Sequence, residues 1–288
     1  MTDGGSIINL GDLAQPATVL IEKISEALGG YFKPHQIKRV AKAEAEAEII
    51  RAQAQIEVTD LQRRALCRFV VEESKKQDNI EKITEKAIPQ LEDSATPQDV
   101  EDDWITNFFD KCRIISDDEM QSLWSKVLAG EANSPGSYSK RTVNFLGSLD
   151  KTDAHLFSSL CGFCWFLGDV VSLIYSSEDK IYNDQNISFN TLSHLDDIGL
   201  VSFSAIAGFQ RLKLPKQIRV AYYGMLMNVI FAKESDNSLE LGSVLLTKTG
   251  QQLAPICGSK SVDGFQEYVI DKWVKKGMVL SSPYPRSK

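Results

Sequence analysis

Histidine is scarce and scattered in this chain of 288 residues. His35, His155 and His194 fall into no HExxH or other metal-ligand spacing, which removes the common zinc-hydrolase pattern. Nuclease, protease and phosphate-loop motifs are missing as well. Cysteine is limited to Cys67, Cys112, Cys161, Cys164 and Cys257, an odd number without the spacing of a disulfide framework. Cys161 and Cys164 form a CxxC inside an apolar run, with no second Cys or His pair near them in sequence. They lack the four ligands of a zinc site and the strand-then-helix setting of a redox CxxC, so they are expected to be two small core residues. The adjacent acids Asp117-Asp118 and Asp196-Asp197 point in different directions on a helix and suit capping and solvation better than metal binding. No metal, no cofactor and no enzymatic activity are expected.

Positive charge is not in surplus: 32 Lys/Arg stand against 39 Asp/Glu, a net −7, which argues against a general nucleic-acid coat and favours solubility. The balance is uneven. Residues 180–288 carry 13 Lys/Arg and 9 Asp/Glu, giving +4, and the rest carries 19 and 30, giving −11. The opening residues Met-Thr-Asp-Gly-Gly lack a basic segment and an apolar core, so no signal peptide is expected, and a reducing, cytoplasmic location follows. One apolar run, residues 156–175 (LFSSLCGFCWFLGDVVSLIY), is long enough to raise the question of a membrane span. Its three serines and Asp169 favour a buried core helix.

What the chain has in abundance is helix former. Residues 34–76 contain no Gly and no Pro after Pro34, and a single long helix is predicted there. Ala43, Ala47, Ile50, Ala54, Val58, Leu61 and Ala65 follow one another at steps of 4, 3, 4, 4, 3 and 4, a mean of about 3.67, which is the eleven-residue repeat of nearly straight helices. That seam is too thin to stand alone, and these seven residues are the candidate self-association surface. Before it, residues 15–28 predict an amphipathic helix with Val19, Leu20, Ile24 and Leu28 on one face. Its polar face, with Glu22, Lys23 and Glu26, is not basic, so it suits packing better than a lipid surface. A second helix is predicted over 78–91, stopping near Pro89.

Thr96-Pro97 opens a further helix carrying Trp104, Ile105, Phe108 and Phe109. The capping sequence Ser116-Asp117-Asp118-Glu119 starts another with Met120, Leu123, Trp124, Val127 and Leu128 inward. Ser139 starts the next. Beyond Asp184 the texture changes. Leu192, Leu195, Ile198, Gly199 and Leu200, then β-type runs at 201–204, 209–214, 218–223 and 229–232, then Leu246, Thr247, Gly250 and Leu253 match the pattern of winged-helix-like folds. A last helix over about 263–276 and a short strand at 278–280 follow. The predicted fold is therefore mainly α: a long N-terminal helix and a helical bundle, followed by a C-terminal winged-helix-like α+β module. Its parts are an N-terminal tail and amphipathic helix (1–33), a spine (34–95), a helical core (96–182) and the winged-helix-like module (183–288).

The predicted recognition helix, 190–199, carries Asp196 and Asp197 and no Lys or Arg, so phosphate repulsion opposes groove entry. Arg211, Lys213, Lys216 and Arg219, four charges in nine residues on a predicted hairpin, form the one basic cluster able to touch nucleic acid or an acidic partner.

Residues 32–46 (FKPHQIKRVAKAEAE), 123–132 (LWSKVLAGEA), 134–137 (SPGS) and 149–154 (LDKTDA) resemble an uncharacterised bacterial family related to the Abi-alpha type abortive-infection proteins. The likeness covers most of residues 30–255. It implies a bacterial cytoplasmic protein acting in phage defence and supplies no site residues. The expectation is a non-enzymatic homo-oligomer acting by self-assembly, with a phage protein as trigger. A winged-helix DNA-binding regulator and a membrane effector working through residues 156–175 are the alternatives.

Overall fold

The computed structural model describes residues 14–29 and 59–281. The chain divides into two compact units, Met1–Ser148 and Leu149–Lys288. Of the predicted seam, Ala43, Ala47, Ile50, Ala54 and Val58 lie outside the described residues; Leu61 and Ala65 lie within them.

The first unit is helical. α1 (Gln15–Ala27) buries Ala17, Leu20, Ile21 and Ile24. The buried stripe is turned from the predicted one, because α1 packs on the 3-10 turn Pro97–Asp99 and the following helix α3 (Asp102–Cys112). Lys23 fixes that docking with a hydrogen bond to the Gln98 carbonyl (2.9 Å) and an ion pair to Asp102 (3.0 Å).

α2 (Asp60–Ala87) opens with a capping box in which Thr59 Oγ1 accepts from the Gln62 backbone N–H and Gln62 Oε1 accepts from that of Thr59. Its start corrects the single helix predicted over 34–76, because Thr59 is an extended cap (φ −59°, ψ 154°) that begins a new helix; at the other end it runs through residue 77 without the predicted break. Pro89, which cannot donate, ends it in a 3-10 turn, Ile88–Gln90.

α4 (Asp118–Asn133) begins where Asp117 Oδ1 accepts from the N–H groups of Glu119 and Met120, both at 3.1 Å. α5 (Lys140–Leu146) begins where Ser139 Oγ accepts from Thr142. Phe108 sits at the centre, 5.1 Å from each of the Trp104, Phe109 and Trp124 rings. Asn79, Gln121 and the carbonyls of Arg113 and Ile115 form a buried polar junction that ties α2 to α4; each buried donor there has an acceptor, as burial requires.

The second unit overturns two expectations. Residues 156–175 are not one helix. α6 (Lys151–Cys161) stops at Gly162, and β1 (Cys164–Phe166) turns through Gly168, at φ +92°, into β2 (Val170–Ser172). A side chain at Gly162 would lie 2.9 Å from the Lys260 carbonyl. Among the described residues no helix is long and apolar enough to cross a membrane.

The winged-helix expectation, and with it the mainly α fold, is also corrected. After α7 (Lys180–Asn183) and α8 (Phe189–Asp197), the chain passes through Gly199 directly into β3 (Val201–Phe203), with no second helix of a helix-turn-helix between. The strands β4 (Phe209–Leu214), β5 (Gln217–Tyr222), β6 (Met225–Ile230), β7 (Asn237–Gly242) and β8 (Val244–Leu246) then pair as nested antiparallel couples, β3 with β8, β4 with β7 and β5 with β6. The main sheet runs β2-β1-β5-β6-β9, with β9 at Val279–Ser281. The winged-helix-like residues do meet, but for another reason. Thr247 caps α9 (Lys248–Leu253), and its Oγ1 donates within reach of the Gly199 and Leu200 carbonyls, at 2.8 and 3.1 Å. α10 (Phe265–Lys275) lays Phe265, Val269 and Trp273 into the core. Trp165 is packed between Tyr222 and Trp273, each at 5.0 Å. The unit boundary at 148/149 thus falls inside the stretch 96–182 expected to form one helical core.

Candidate functional site

Three features carry chemistry or contact, and each is built differently. The first is the exposed half of α2. This 28-residue helix buries Asn79, Ile80, Ile83, Thr84 and Ala87, all in its C-terminal part. Its N-terminal part leaves Leu61 69%, Phe69 59%, Val71 68% and Leu66 39% exposed, and Ala65 is exposed too. Leu61, Ala65 and Phe69 are four residues apart and share one helix face. The stripe read in the sequence therefore enters the described helix as a row open to solvent. The ion pairs Arg63–Asp60, Arg64–Asp60, Arg68–Glu72 and Lys76–Glu73 stay within the helix, where such pairs contribute about 0.3–0.5 kcal/mol each.

The second feature is the basic cluster, which the fold takes apart. Arg211 lies on β4 and Arg219 on β5, strands that belong to different sheets and not to one hairpin. Arg211 pairs with Asp169 and donates to the Leu167 carbonyl; Lys216 pairs with Glu234. Lys213, at φ +57° where the β4 register shifts, and Arg219 are exposed. Two of the four thus face acids far away in sequence, and the four do not share the predicted hairpin.

The third feature was read in the sequence as two core cysteines, and it is larger. Cys161 ends α6, Cys164 opens β1, and Cys257 comes from the loop after α9. Cys161 and Cys164 are buried, and the half-buried Cys257 thiol donates to the Ala254 carbonyl at 3.2 Å. Tyr222 donates to the Gly162 carbonyl (2.8 Å) and accepts from the Val262 N–H (2.8 Å). Tyr223 reaches the Cys161 carbonyl (3.2 Å) and Ser259 Oγ (2.7 Å). These two tyrosines clamp the loop 257–262 to the CxxC turn.

Burial pushes the Cys161 thiol well up, and its neighbouring thiols push it further. Cys257 goes the other way, down to about 7, with the neighbouring Cys161 thiol as the largest cause, acting against its burial, and Ser259 and Ser158 adding to it. Beside them opens a cavity of ≈ 250 Å³ lined by Cys161, Cys164, Phe166, Ala221, Tyr223 and Ser259, among others. All five cysteines are free thiols. Among the described residues no group of three or more His, Cys, Asp or Glu is placed to hold a metal ion. The sequence signal for this cluster was half present, since the CxxC was visible but nothing local points to Cys257 as its third member.

A wider cavity of ≈ 480 Å³ in the first unit is lined by Trp104, Glu131, Tyr138 and Lys140, among others. Glu131 is buried, and its carboxylate accepts from the N–H groups of Gly136 (2.7 Å) and Tyr138 (2.8 Å), holding the turn between α4 and α5. Burial raises its carboxyl above the ordinary 4.5, with those N–H groups pulling back. The folded state therefore binds this proton more tightly than the unfolded chain does. The resulting stabilisation is complete below 4.5 and is lost as pH rises through the raised value. Glu131→Gln removes that pH dependence, read as the urea midpoint followed by tryptophan fluorescence at a series of pH values. Glu131→Ala costs about 1–3 kcal/mol at neutral pH, because the buried Tyr138 N–H and the more exposed Gly136 N–H lose their acceptor.

A family model described as a protein of unknown function, DUF2806, matches residues 63–270. No curated protein and no solved structure matches the chain.

Proposed function

The chain belongs to the DUF2806 family, and from that premise we propose that it is a non-enzymatic protein of the bacterial cytoplasm that works by associating with copies of itself. The observation that carries this reading is the open row Leu61, Ala65 and Phe69 on one face of α2. Burying one large aliphatic or aromatic side chain contributes about 1.5–3 kcal/mol, so covering Leu61 and Phe69 of this row favours association. A second copy of the same helix fits it. The ends of the row are polar, its members are apolar or small, and a two-fold pairing places each residue against its own counterpart's neighbourhood.

The finer reading is phage defence. It rests on the resemblance of residues 123–132 and 149–154 to Abi-alpha type abortive-infection proteins. A phage protein as trigger is part of it, and the apolar Phe166, Met225 and Leu226, exposed on β1 and β6 on either side of β5, support such a recognition surface. Plaque counts on bacteria with and without the gene measure it directly: protection by the wild type, lost in the association-deficient variant, is the expected result.

The association itself is tested with Leu61→Asp combined with Phe69→Asp. Both side chains are exposed, so the variant keeps the thermal stability of the separate chain. Two aspartates in a self-complementary face also meet their own copies, and like charges in close apposition repel. The expected outcome in size-exclusion chromatography with light scattering is loss of association at every concentration at which the wild type self-associates. A variant that associates as the wild type does removes this face from the interface.

A further inference from the structure

We propose that the cavity beside the CxxC turn is a binding site for a small, uncharged aromatic molecule that carries one hydrogen-bond donor, of the class of substituted phenols and indoles. The inference goes beyond self-association through α2 and does not depend on it. It rests on the walls of the cavity, its size and a strained residue at its edge. Cys161, Cys164, Phe166, Ala221 and Ala254 supply walls of carbon and sulfur, and Tyr223 and Ser259 supply the polar side chains. No Lys, Arg, Asp or Glu lines the cavity, so an ionised guest would lose its hydration without gaining a partner. Sulfur makes favourable contacts with aromatic rings, and rings pair with rings offset or edge-on, so these walls suit an aromatic guest better than an alkyl chain. The volume of ≈ 250 Å³ exceeds the roughly 150 Å³ of an apolar cavity that takes up benzene. One substituted ring or a fused pair fits.

The strained residue is Tyr223. β5 and β6 are joined by the two-residue turn Tyr223-Gly224, between the paired Tyr222 and Met225. Both turn residues have positive φ, +41° and +86°, the pattern of the hairpin turn whose first position favours Asn, Asp or Gly. A tyrosine is held there against its backbone preference, and such strain gathers at functional sites. Burial does not explain the choice, because Tyr223 is exposed. Its hydroxyl does reach Ser259 and the Cys161 carbonyl, yet Tyr222 already ties the same loop to the same turn through the Val262 N–H and the Gly162 carbonyl. What Tyr223 adds is a ring at the cavity wall, with the exposed ring of Phe166 as a second. Its oxygen spends its one proton on those acceptors and keeps lone pairs for a donor on the guest.

Two substitutions separate binding from support. Tyr223→Asn supplies the residue type that this turn favours before glycine, so the hairpin is kept while one wall of the cavity and its acceptor oxygen are removed. Ala221→Leu leaves the turn alone and fills the space from β5, since Ala221 lines the cavity.

The test uses the full chain with p-cresol and indole as probes, titrated by calorimetry and followed by NMR. Both are expected to bind saturably, with a dissociation constant of about 1 mM or tighter, and the p-cresol ring is expected to show contacts to the methyl groups of Val170, Ala221 and Ala254, which line the cavity. Tyr223→Asn and Ala221→Leu each weaken binding by about tenfold or more, as the loss of ring contact or of the space itself requires. N-acetyltyrosinamide, the same ring on a peptide backbone, binds more weakly than p-cresol. If it binds as tightly, the cavity takes a polypeptide side chain and the small-molecule assignment is overturned. The proposal is overturned as well if neither probe binds saturably, if the ring contacts fall on other methyl groups, or if both variants bind as the wild type does. The wild-type NMR contacts decide the matter even if Ala221→Leu does not fold.

Discussion

Replacing Gly242 by alanine is expected to unfold the second unit at denaturant concentrations where the wild type is fully native. Gly242 ends β7 at φ +97°, in the left-handed region where a non-glycine residue costs about 1–3 kcal/mol. Space is the greater obstacle. A Cβ there would stand 2.0 Å from the Ile174 carbonyl oxygen, 2.4 Å from its carbon and 2.9 Å from the Tyr175 nitrogen. All three are backbone atoms, so no side chain can rotate away.

The contact also matters to the architecture. Gly242 forms a bridge with Ile174, and the next residue, Ser243, donates both its N–H (2.7 Å) and its hydroxyl (3.1 Å) to the same carbonyl. Relieving the clash pulls the segment after β2 away from the β7–β8 corner and strands those donors. Strain and lost hydrogen bonds together come to roughly 4 kcal/mol or more, against a total domain stability of about 5–15 kcal/mol. Gly168→Ala is the matched control. It too has a positive φ, +92°, but nothing lies within 4 Å of its added Cβ, so its cost is the conformational part alone, about 1–3 kcal/mol. Urea unfolding followed by circular dichroism separates the two: a large shift of midpoint for Gly242→Ala, a small one for Gly168→Ala. Equal shifts would mean that the Ile174 contact carries no weight.

Phe108→Ala has the largest expected effect in the first unit. The ring is fully buried, stacked on Trp104 and edge-on to Phe109 and Trp124. Truncating it removes the transfer energy of the ring and leaves a cavity whose walls are other large aromatics, which cannot all close in; the cost is about 3–5 kcal/mol. Phe108→Leu keeps most of the volume and costs less, on the order of 1–2 kcal/mol. Because Trp104 and Trp124 are the ring's neighbours, tryptophan fluorescence reports both the unfolding midpoint and the disturbed packing in the native baseline.

These residues show how far the sequence could be read. Core faces of the first unit were legible because they are local, whereas the helix read from Thr96 starts only at Asp102, after the 3-10 turn Pro97–Asp99. Asp117 and Ser139 cap as their types dictate, and Trp104, Ile105, Phe108, Phe109, Trp124, Val127 and Leu128 are buried on the faces their 3.6-residue spacing indicates. The second unit was misread because its determinants are not local. Hydrophobicity over residues 156–175 is the same for a buried helix and for a helix followed by a buried hairpin; Gly162 and Gly168 decide between them, and the first does so through Lys260. The winged-helix-like pattern reflected a real meeting of Gly199, Leu200 and Thr247, but strand pairing between β3 and β8 is set by residues more than forty apart. The basic cluster failed for the same reason, since Asp169 and Glu234 face Arg211 and Lys216 only in the fold. The thiol cluster was half legible: the CxxC stands in plain sight, while Cys257 joins it through two tyrosines on a strand turn.

The central claim is self-association through the exposed half of α2, and the absolute mass of the wild-type chain in solution tests it most directly. Light scattering coupled to size exclusion, over a series of loading concentrations, is predicted to give a multiple of 32.1 kDa that falls toward the single-chain value only on dilution. A constant 32.1 kDa at every concentration contradicts it.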